Sequence, residues 1–331
     1  QRLVESGYRV RLFDSMMFGH EPIQSLQSAL SRLQNIDRLE VYEGDMRNTS
    51  DVLNGLNDSD AAIILGAVVG DPASAKNPVS TFETNYLAAQ TIAEVCAYLN
   101  INRCLFASTC SVYGANPNGG LLDEDTPSIP VSHYARMKIE AEQAILRVPS
   151  KNFAPTIMRM STLYGSSHRM RYDLVVNTMM MKGIAEGNIT VFGGGQWRPL
   201  LHVEDAAKAF MRVLQSDIPQ VKRKIFNVGS EKENYQIATL GNIIHAFLKT
   251  KHPDVALEII PTDSDPRDYR VSFNRLQTQT GFQAIKTVQS SLEDLYKTIQ
   301  QDFDQHSVDS HTRYNERVLA PPADHGKWWL N

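Results

Sequence analysis

Along the first half of the chain the apolar residues change period repeatedly, from strict alternation over four to six positions to a stripe recurring every three or four. Alternation distributes side chains to the two faces of a sheet, whereas the longer period marks one face of a helix. Residues 8–13 (YRVRLF) therefore read as a strand closing on Asp14, followed by strands over 39–42, 61–65, 104–107 and 156–160. Helices are expected from about Ser50, over 79–99 and over 133–146. Strands alternating with helices of this length predict a parallel sheet covered on both faces.

Beyond Tyr164 the rhythm loosens. Helices are expected over 174–184, 203–214, 237–247 and 291–300, and strands over 189–192, 224–228 and 257–260. The expected architecture is α/β: a Rossmann-type, doubly wound parallel sheet over residues 1–165 and a smaller α+β lobe over 166–303, with segments returning to the main sheet. A tail over 304–331 shows no periodicity. Its Trp328 and Trp329 read as part of a frayed terminus, with docking on a neighbour as the alternative.

Residues 1–6 read as the end of an amphipathic helix that Gly7 caps. Helix, turn and acid-terminated strand form the second half of a βαβ unit that binds dinucleotides. Its first half would be a buried strand and a glycine-rich turn. Gly7 and Gly19 are the only glycines in the first forty residues, and neither supplies that turn. The expectation is that the first strand and its loop, about twenty residues, are absent from this sequence. A chain truly beginning at Gln1 would lack the close backbone approach to a pyrophosphate, and is expected to bind NAD poorly and be close to inactive.

Composition narrows the function classes. With 331 residues, 42% hydrophobic and 21% charged, the chain can bury a large core. A formal net charge of −4 gives no electrostatic reason to expect nucleic acid or an anionic membrane as partner. Cys96, Cys104 and Cys110 form no CxxC pair, which suits a reducing cytoplasm and argues against disulfides or a structural zinc; no metal site is expected. The longest apolar run, residues 61–69, is far too short to cross a bilayer.

The strongest chemical signal is Tyr134-Ala-Arg-Met-Lys138 at the start of a helix. Residues four apart share one helix face, so phenol and ammonium can enter one cleft. A nearby ammonium favours the phenolate, and would lower the tyrosine pKa toward the range of a general base. Upstream, Phe106-Ala-Ser-Thr-Cys-Ser-Val-Tyr-Gly114 follows a buried strand, where hydroxyls face the crevice at a parallel sheet's carboxyl edge. Downstream lie Arg159-Met-Ser-Thr-Leu-Tyr-Gly165 and Gln196-Trp-Arg-Pro-Leu-Leu-His-Val-Glu-Asp205.

These motifs, in this order, resemble the extended short-chain dehydrogenases/reductases, specifically the NAD-dependent epimerase/dehydratase group that acts on nucleotide sugars. The resemblance runs from the Asp14 strand to about Gln300. It implies Tyr134 as catalytic acid/base, Lys138 as its activator and ribose contact, and Thr109 as the hydroxyl that binds the reacting sugar oxygen. For NAD it implies Asp14 on the adenosine ribose, where a carboxylate also repels the extra phosphate of NADP. Asp45 and Met46 would flank the adenine, Leu65, Gly66 and Ala67 would lie along the cofactor, and Asn85 sits at the family's helix asparagine. Asn85 reads equally as a buried packing amide. For a nucleotide-diphosphate sugar it implies Arg198, Thr109, Ser111, Thr162 and Asn177. Arg267 would add a second phosphate contact, with an ion pair to Asp265 or Asp268 as the alternative. His202 and Cys110 read as packing residues.

Within that resemblance, the pair between Thr109 and Val112 separates reactions. Dehydratases place an acid pair there, where this chain has Cys110-Ser111. A single Tyr/Thr/Lys set suits reversible oxidation of one carbinol, and the expected activity is a nucleotide-sugar epimerase working at C4 through a 4-keto intermediate. The alternatives are an NAD(P)H-dependent 4-ketosugar reductase and a non-catalytic nucleotide-sugar-binding protein. Relatives of this kind often form homodimers by pairing the helices that here span 79–99 and 133–146.

Overall fold

Helix α1 (Arg2–Glu5) leads into β1 (Val10–Asp14), α2 (Glu21–Arg32) into β2 (Leu39–Glu43), and α3 (Thr49–Leu56) into β3 (Ala61–Ile64). The computed structural model describes residues 1–116, 119–262, 265–304 and 311–315, so Trp328 and Trp329 lie outside the described residues. After α4 (Asp71–Lys76), one continuous rod comprises α5 (Pro78–Phe82), a π-helical turn (Glu83–Ala88) and α6 (Ala89–Tyr98). Then follow β4 (Arg103–Thr109), the two-residue β5 (Leu121–Leu122), α7 (His133–Arg147), β6 (Ala154–Met160) and β7 (Thr162–Tyr164). The second half runs α8 (Val175–Ala185), β8 (Asn188–Phe192), β9 (Trp197–His202), α9 (Val203–Gln215), α10 (Ile218–Val221) and β10 (Lys224–Val228). It ends with β11 (Asn234–Gln236), α11 (Ile237–Lys249), β12 (Ala256–Ile260), β13 (Arg270–Val271), α12 (Asn274–Thr280) and α13 (Val288–Asp304).

The central sheet has the order β10-β6-β4-β3, all parallel, with Ala107 opposite Met158 and Thr109 opposite Met160. Strands β1 and β2 form a separate parallel pair. Both faces of the central sheet are covered, which is why its strands read as near-continuous apolar runs. Alternation along β4 sends Cys104 and Phe106 into the cluster with Ile92, Ile145 and Ile157, and Leu105 into the opposite one with Met158, Phe210 and Phe226.

The second-half strands build two smaller sheets, β11-β9-β7 and β12-β8, around a core that includes Tyr164, Met180, Leu240 and Ile299. Strand β10 instead joins the central sheet beside β6. The hydrophobic pattern does not single out α2, whose narrow stripe of Ile23, Leu26 and Leu30 is set among polar residues, with Leu30 fully buried. Among the described residues no helix is long and apolar enough to cross a membrane.

Candidate active site

Strand β4 carries its chain to the sheet's carboxyl edge and ends on Thr109, whose Oγ1 accepts a hydrogen bond from the Ser111 amide (3.1 Å) and caps the following turn. Beside it, the Ser132 Oγ accepts from the Ala135 amide (3.2 Å) and starts α7. Tyr134 and Lys138, four apart on that helix, are both buried, and the Tyr134 phenol lies close enough to Thr109 to feel its hydroxyl. Lys138 lies one turn further along α7, with its Nζ on the Ala107 carbonyl of β4, two residues before Thr109.

Their protonation differs from the sequence expectation. Burial holds the Tyr134 phenol well above its ordinary value. The Arg171 guanidinium and the Thr109 hydroxyl act in the opposite sense, and the Asp71 charge adds to the rise. Lys138 does not offset that burial, because its Nζ donates to the Ala107 carbonyl (2.8 Å) and stands 4.6 Å from the Phe106 ring centroid. Burial also brings the ammonium down to about 7, against the pull of Glu142.

Below Lys138 a buried polar chain begins. Arg159 pairs with Glu142 through Nη2 (2.8 Å) and Nε (3.1 Å), and Ser108 donates to the same carboxylate. Arg159 Nη1 donates to the Tyr113 hydroxyl (3.1 Å), which donates to Asn227 Oδ1 (2.8 Å). The Asn227 backbone N–H donates to Glu124 (2.7 Å), and Glu124 pairs with Arg275 (3.4 Å), which reaches the exposed Asp125 (2.5 Å).

On the expected cofactor side, Asp14 is exposed at the end of β1, with Oδ1 accepting from the Met16 amide (2.8 Å). Asp45 pairs with Arg47 (2.6 Å), whose hydrogen bond holds its carboxyl below the usual value. Met46 lies against Gly66, where an added Cβ would fall 2.7 Å from the Met46 sulfur. Leu65 is 60% exposed just beyond β3, followed by Gly66 and Ala67. Asn85, in the π-helical turn, spends its amide on Val68, accepting from the backbone N–H (2.7 Å) and donating to the carbonyl (2.9 Å). It acts as a clamp on the segment after β3. A surface hollow of about 430 Å³ lies nearby between Asp45, Arg47, Glu83 and Leu87, away from Tyr134.

On the expected substrate side, both arginines are engaged. Arg198, buried on β9, binds Asp265 through Nη2 (2.7 Å) and the Trp197 carbonyl through Nη1 (2.7 Å). Arg267 binds Asp265 through Nε (2.7 Å) and, across the cleft, Asp71 through Nη1 (2.6 Å). Asp268, the other partner offered by the sequence, accepts from the Trp197 amide instead (2.8 Å). Ser111 Oγ and the Tyr269 hydroxyl are 3.2 Å apart, and Tyr269 lies under the Arg198 guanidinium. Thr162 is half-buried on β7. Asn177 is buried and ties the Gly165 amide (3.2 Å) to the Arg171 carbonyl (3.0 Å). His202 caps α9 through Nδ1 and packs on Tyr164, and Cys110 donates to the Arg159 carbonyl (3.3 Å).

Asp71, Arg171 and Tyr269 enter the surroundings of Tyr134 without having been singled out by sequence. Their only local signals are the helix-opening Gly70-Asp71-Pro72 and the charged strings around Arg171 and Tyr269.

Three comparisons bear on the family and the fold. Residues 1–229 match the NAD dependent epimerase/dehydratase family. A putative UDP-glucose 4-epimerase of Methanocaldococcus jannaschii is 27% identical over 240 residues, 70% of this chain and 72% of that one. The UDP-glucuronic acid 4-epimerase of Bacillus cereus, solved with UDP-glucuronic acid and NAD, superposes with a TM-score of 0.75 at 24% identity, covering 90% of this chain and 93% of that one. The UDP-glucose 4-epimerase of Thermotoga maritima, solved with UDP-glucose, gives 0.77 at 17% identity, over 91% and 94%. The parallel sheet is of the Rossmann type, and the chain belongs to the NAD-dependent epimerase/dehydratase family, in the extended short-chain dehydrogenase/reductase group, with NAD as cofactor.

Proposed function

We propose that the protein is an NAD-dependent nucleotide-sugar epimerase that inverts C4 through a transient 4-keto sugar. The observation that carries this reading is the placing of buried Tyr134 and Lys138 one turn apart on α7, with Thr109 close to the phenol, and no added acid pair at Cys110-Ser111. Bound NAD supplies reversible hydride acceptance. Asp14, Asp45, Met46 and the segment Leu65–Gly66–Ala67 would hold it, and the fit rests on the close approach at Gly66 and the exposed carboxylate and leucine at the strand ends. Thr109 holds the sugar oxygen, and the Tyr134 oxygen takes and returns its proton. A positioned acid/base of this kind is worth about 10²–10⁴-fold. Arg198 and Arg267 offer guanidinium forks suited to a diphosphate, once their carboxylate partners yield. Residues 1–165 would serve the cofactor and 166–303 mainly the sugar nucleotide. A homodimer would cover Val79, Phe82, Leu87 and Tyr98, which stand exposed on α5–α6.

The test is to denature the purified protein, identify released molecules by mass spectrometry, and follow UDP-glucose by NMR. Stoichiometric NAD together with conversion to the C4 epimer supports the reading. An empty protein that oxidises NADH only when given a 4-keto nucleotide sugar overturns it in favour of the reductase.

A further inference from the structure

We infer that Glu142 is the positioning residue of Lys138: its carboxylate, held between Arg159 and Ser108, supports the Lys138 ammonium beside the reaction centre, and Arg159 tempers that support. The inference rests on the reading of Lys138 as the partner of Tyr134 and adds two residues to it.

Three elements meet to build this unit. On β4, Phe106 and Ser108 are two apart and so share the face that α7 covers. Ser108 stands in register with Arg159 on β6. Glu142 reaches between them from α7. Its Oε1 accepts from Ser108 Oγ and from Arg159 Nε (3.1 Å), and its Oε2 accepts from Arg159 Nη2 (2.8 Å). Lys138, one turn earlier on the same helix, reaches the same strand. Its Nζ stands 4.6 Å from the Phe106 ring centroid and donates to the Ala107 carbonyl (2.8 Å), the residue before Ser108. Strand β4 then ends at once on Thr109.

Side chains four apart on a helix are neighbours. Lys138, Glu142 and Arg159 are each 5% exposed or less, so the Glu142 charge acts on Lys138 with little screening by water. Burial brings the ammonium down to about 7, and Glu142 is the charge that holds it up. The other elements around α7 offer Lys138 no competing charge. Strand β4 presents a ring and a carbonyl, while Asp71 of α4 and Arg171 bear on Tyr134. Arg159 of β6 is spent on Glu142 and on the Tyr113 hydroxyl. It acts on Lys138 in the opposite sense, by neutralising the carboxylate on which the ammonium depends. A lysine poised near neutrality makes this balance decide whether the site holds a cation.

The test reads Lys138 directly. In protein carrying isotope-labelled lysine, its NMR signal is assigned by its loss in Lys138→Met. That signal is then titrated in wild type, Glu142→Gln, Arg159→Met and the double variant, alongside pH profiles of kcat/KM with UDP-glucose. Glu142→Gln should move the Lys138 midpoint down by about one pH unit or more, and Arg159→Met should move it up by a similar amount. The alkaline limb of kcat/KM should follow each shift. Lost packing alone would not send the two partners in opposite directions. A midpoint unmoved in both variants, or moved the same way in both, overturns the inference. So does a limb that stays in place while the midpoint moves. If a single variant fails to fold, the double variant, which strands no charge, should still titrate below wild type, because Glu142 is the charge that acts on Lys138; a midpoint equal to wild type overturns the inference. A protein whose midpoints shift as expected but which leaves UDP-glucose unconverted at every pH removes the epimerase reading and upholds the support of Lys138 by Glu142.

Discussion

Tyr134 keeps its proton in the free protein because burial outweighs the opposing Arg171 charge and Thr109 hydroxyl. Tyr134→Phe should lower kcat by about 10²–10⁴-fold while leaving nucleotide-sugar affinity nearly unchanged, as steady-state rates and calorimetry would show. Lys138 provides a pH test of stability. Its folded pKa of about 7 lies below the ordinary 10.5, so between those values the unfolded chain binds the extra proton. The cost of burying Lys138 is then complete below pH 7 and fades as pH rises toward 10.5. Lys138→Met should raise Tm more at pH 6 than at pH 10; an equal gain at both would show that the lysine does not titrate in this window. Tyr134, Lys138 and Thr109 were legible because a spacing of four on a helix, and a hydroxyl at a strand's end, already imply their convergence. Asp71 was not legible, since its partner Arg267 lies 196 residues away in sequence and only the folded cleft brings them together.

At the level of elements, the informative pair is α7 against β6. Glu142 and Arg159 are both buried, and removing one partner leaves an uncompensated charge. Arg159→Met should therefore cost about 3–5 kcal/mol in denaturant unfolding, and adding Glu142→Gln should return part of that loss. A double variant no more stable than the single one would show that the pair does not act as a unit. The Asn85 clamp makes a second claim on an element. Asn85→Ala leaves the Val68 amide without its partner and its carbonyl with only the Ser74 hydroxyl (3.4 Å), and should cost about 1–3 kcal/mol and weaken NAD binding. Sequence located α7 and β6 closely because their periods are clean. It could not reveal the clamp, because asparagine inside a helix gives no sign of which backbone it faces.

For the whole molecule, the alternation of strands and helices was sufficient to anticipate the parallel central sheet, and the loosening after Tyr164 anticipated a differently built second half. Strands β8 and β12 were expected at 189–192 and 257–260, but their pairing was not readable across so long a gap, and β7, β9 and β11, of three to six residues, leave little periodicity. The exposed Val79, Phe82, Leu87 and Tyr98 give the assembly prediction: sedimentation should report a dimer, and Phe82→Glu with Leu87→Glu should yield a monomer. A wild type that sediments as a monomer at micromolar concentration would exclude this interface. The polar chain from Ser108 through Glu142, Arg159, Tyr113 and Asn227 to Glu124 and Arg275 has a further consequence, for how such a protein can evolve. From Ser108 to the Asn227 side chain each link satisfies its neighbour, so a single replacement there strands a buried group while a matched pair of replacements need not. A mutational survey one position at a time would score every link as intolerant. Descendants that have changed here should differ at two or more links together, and seldom at one.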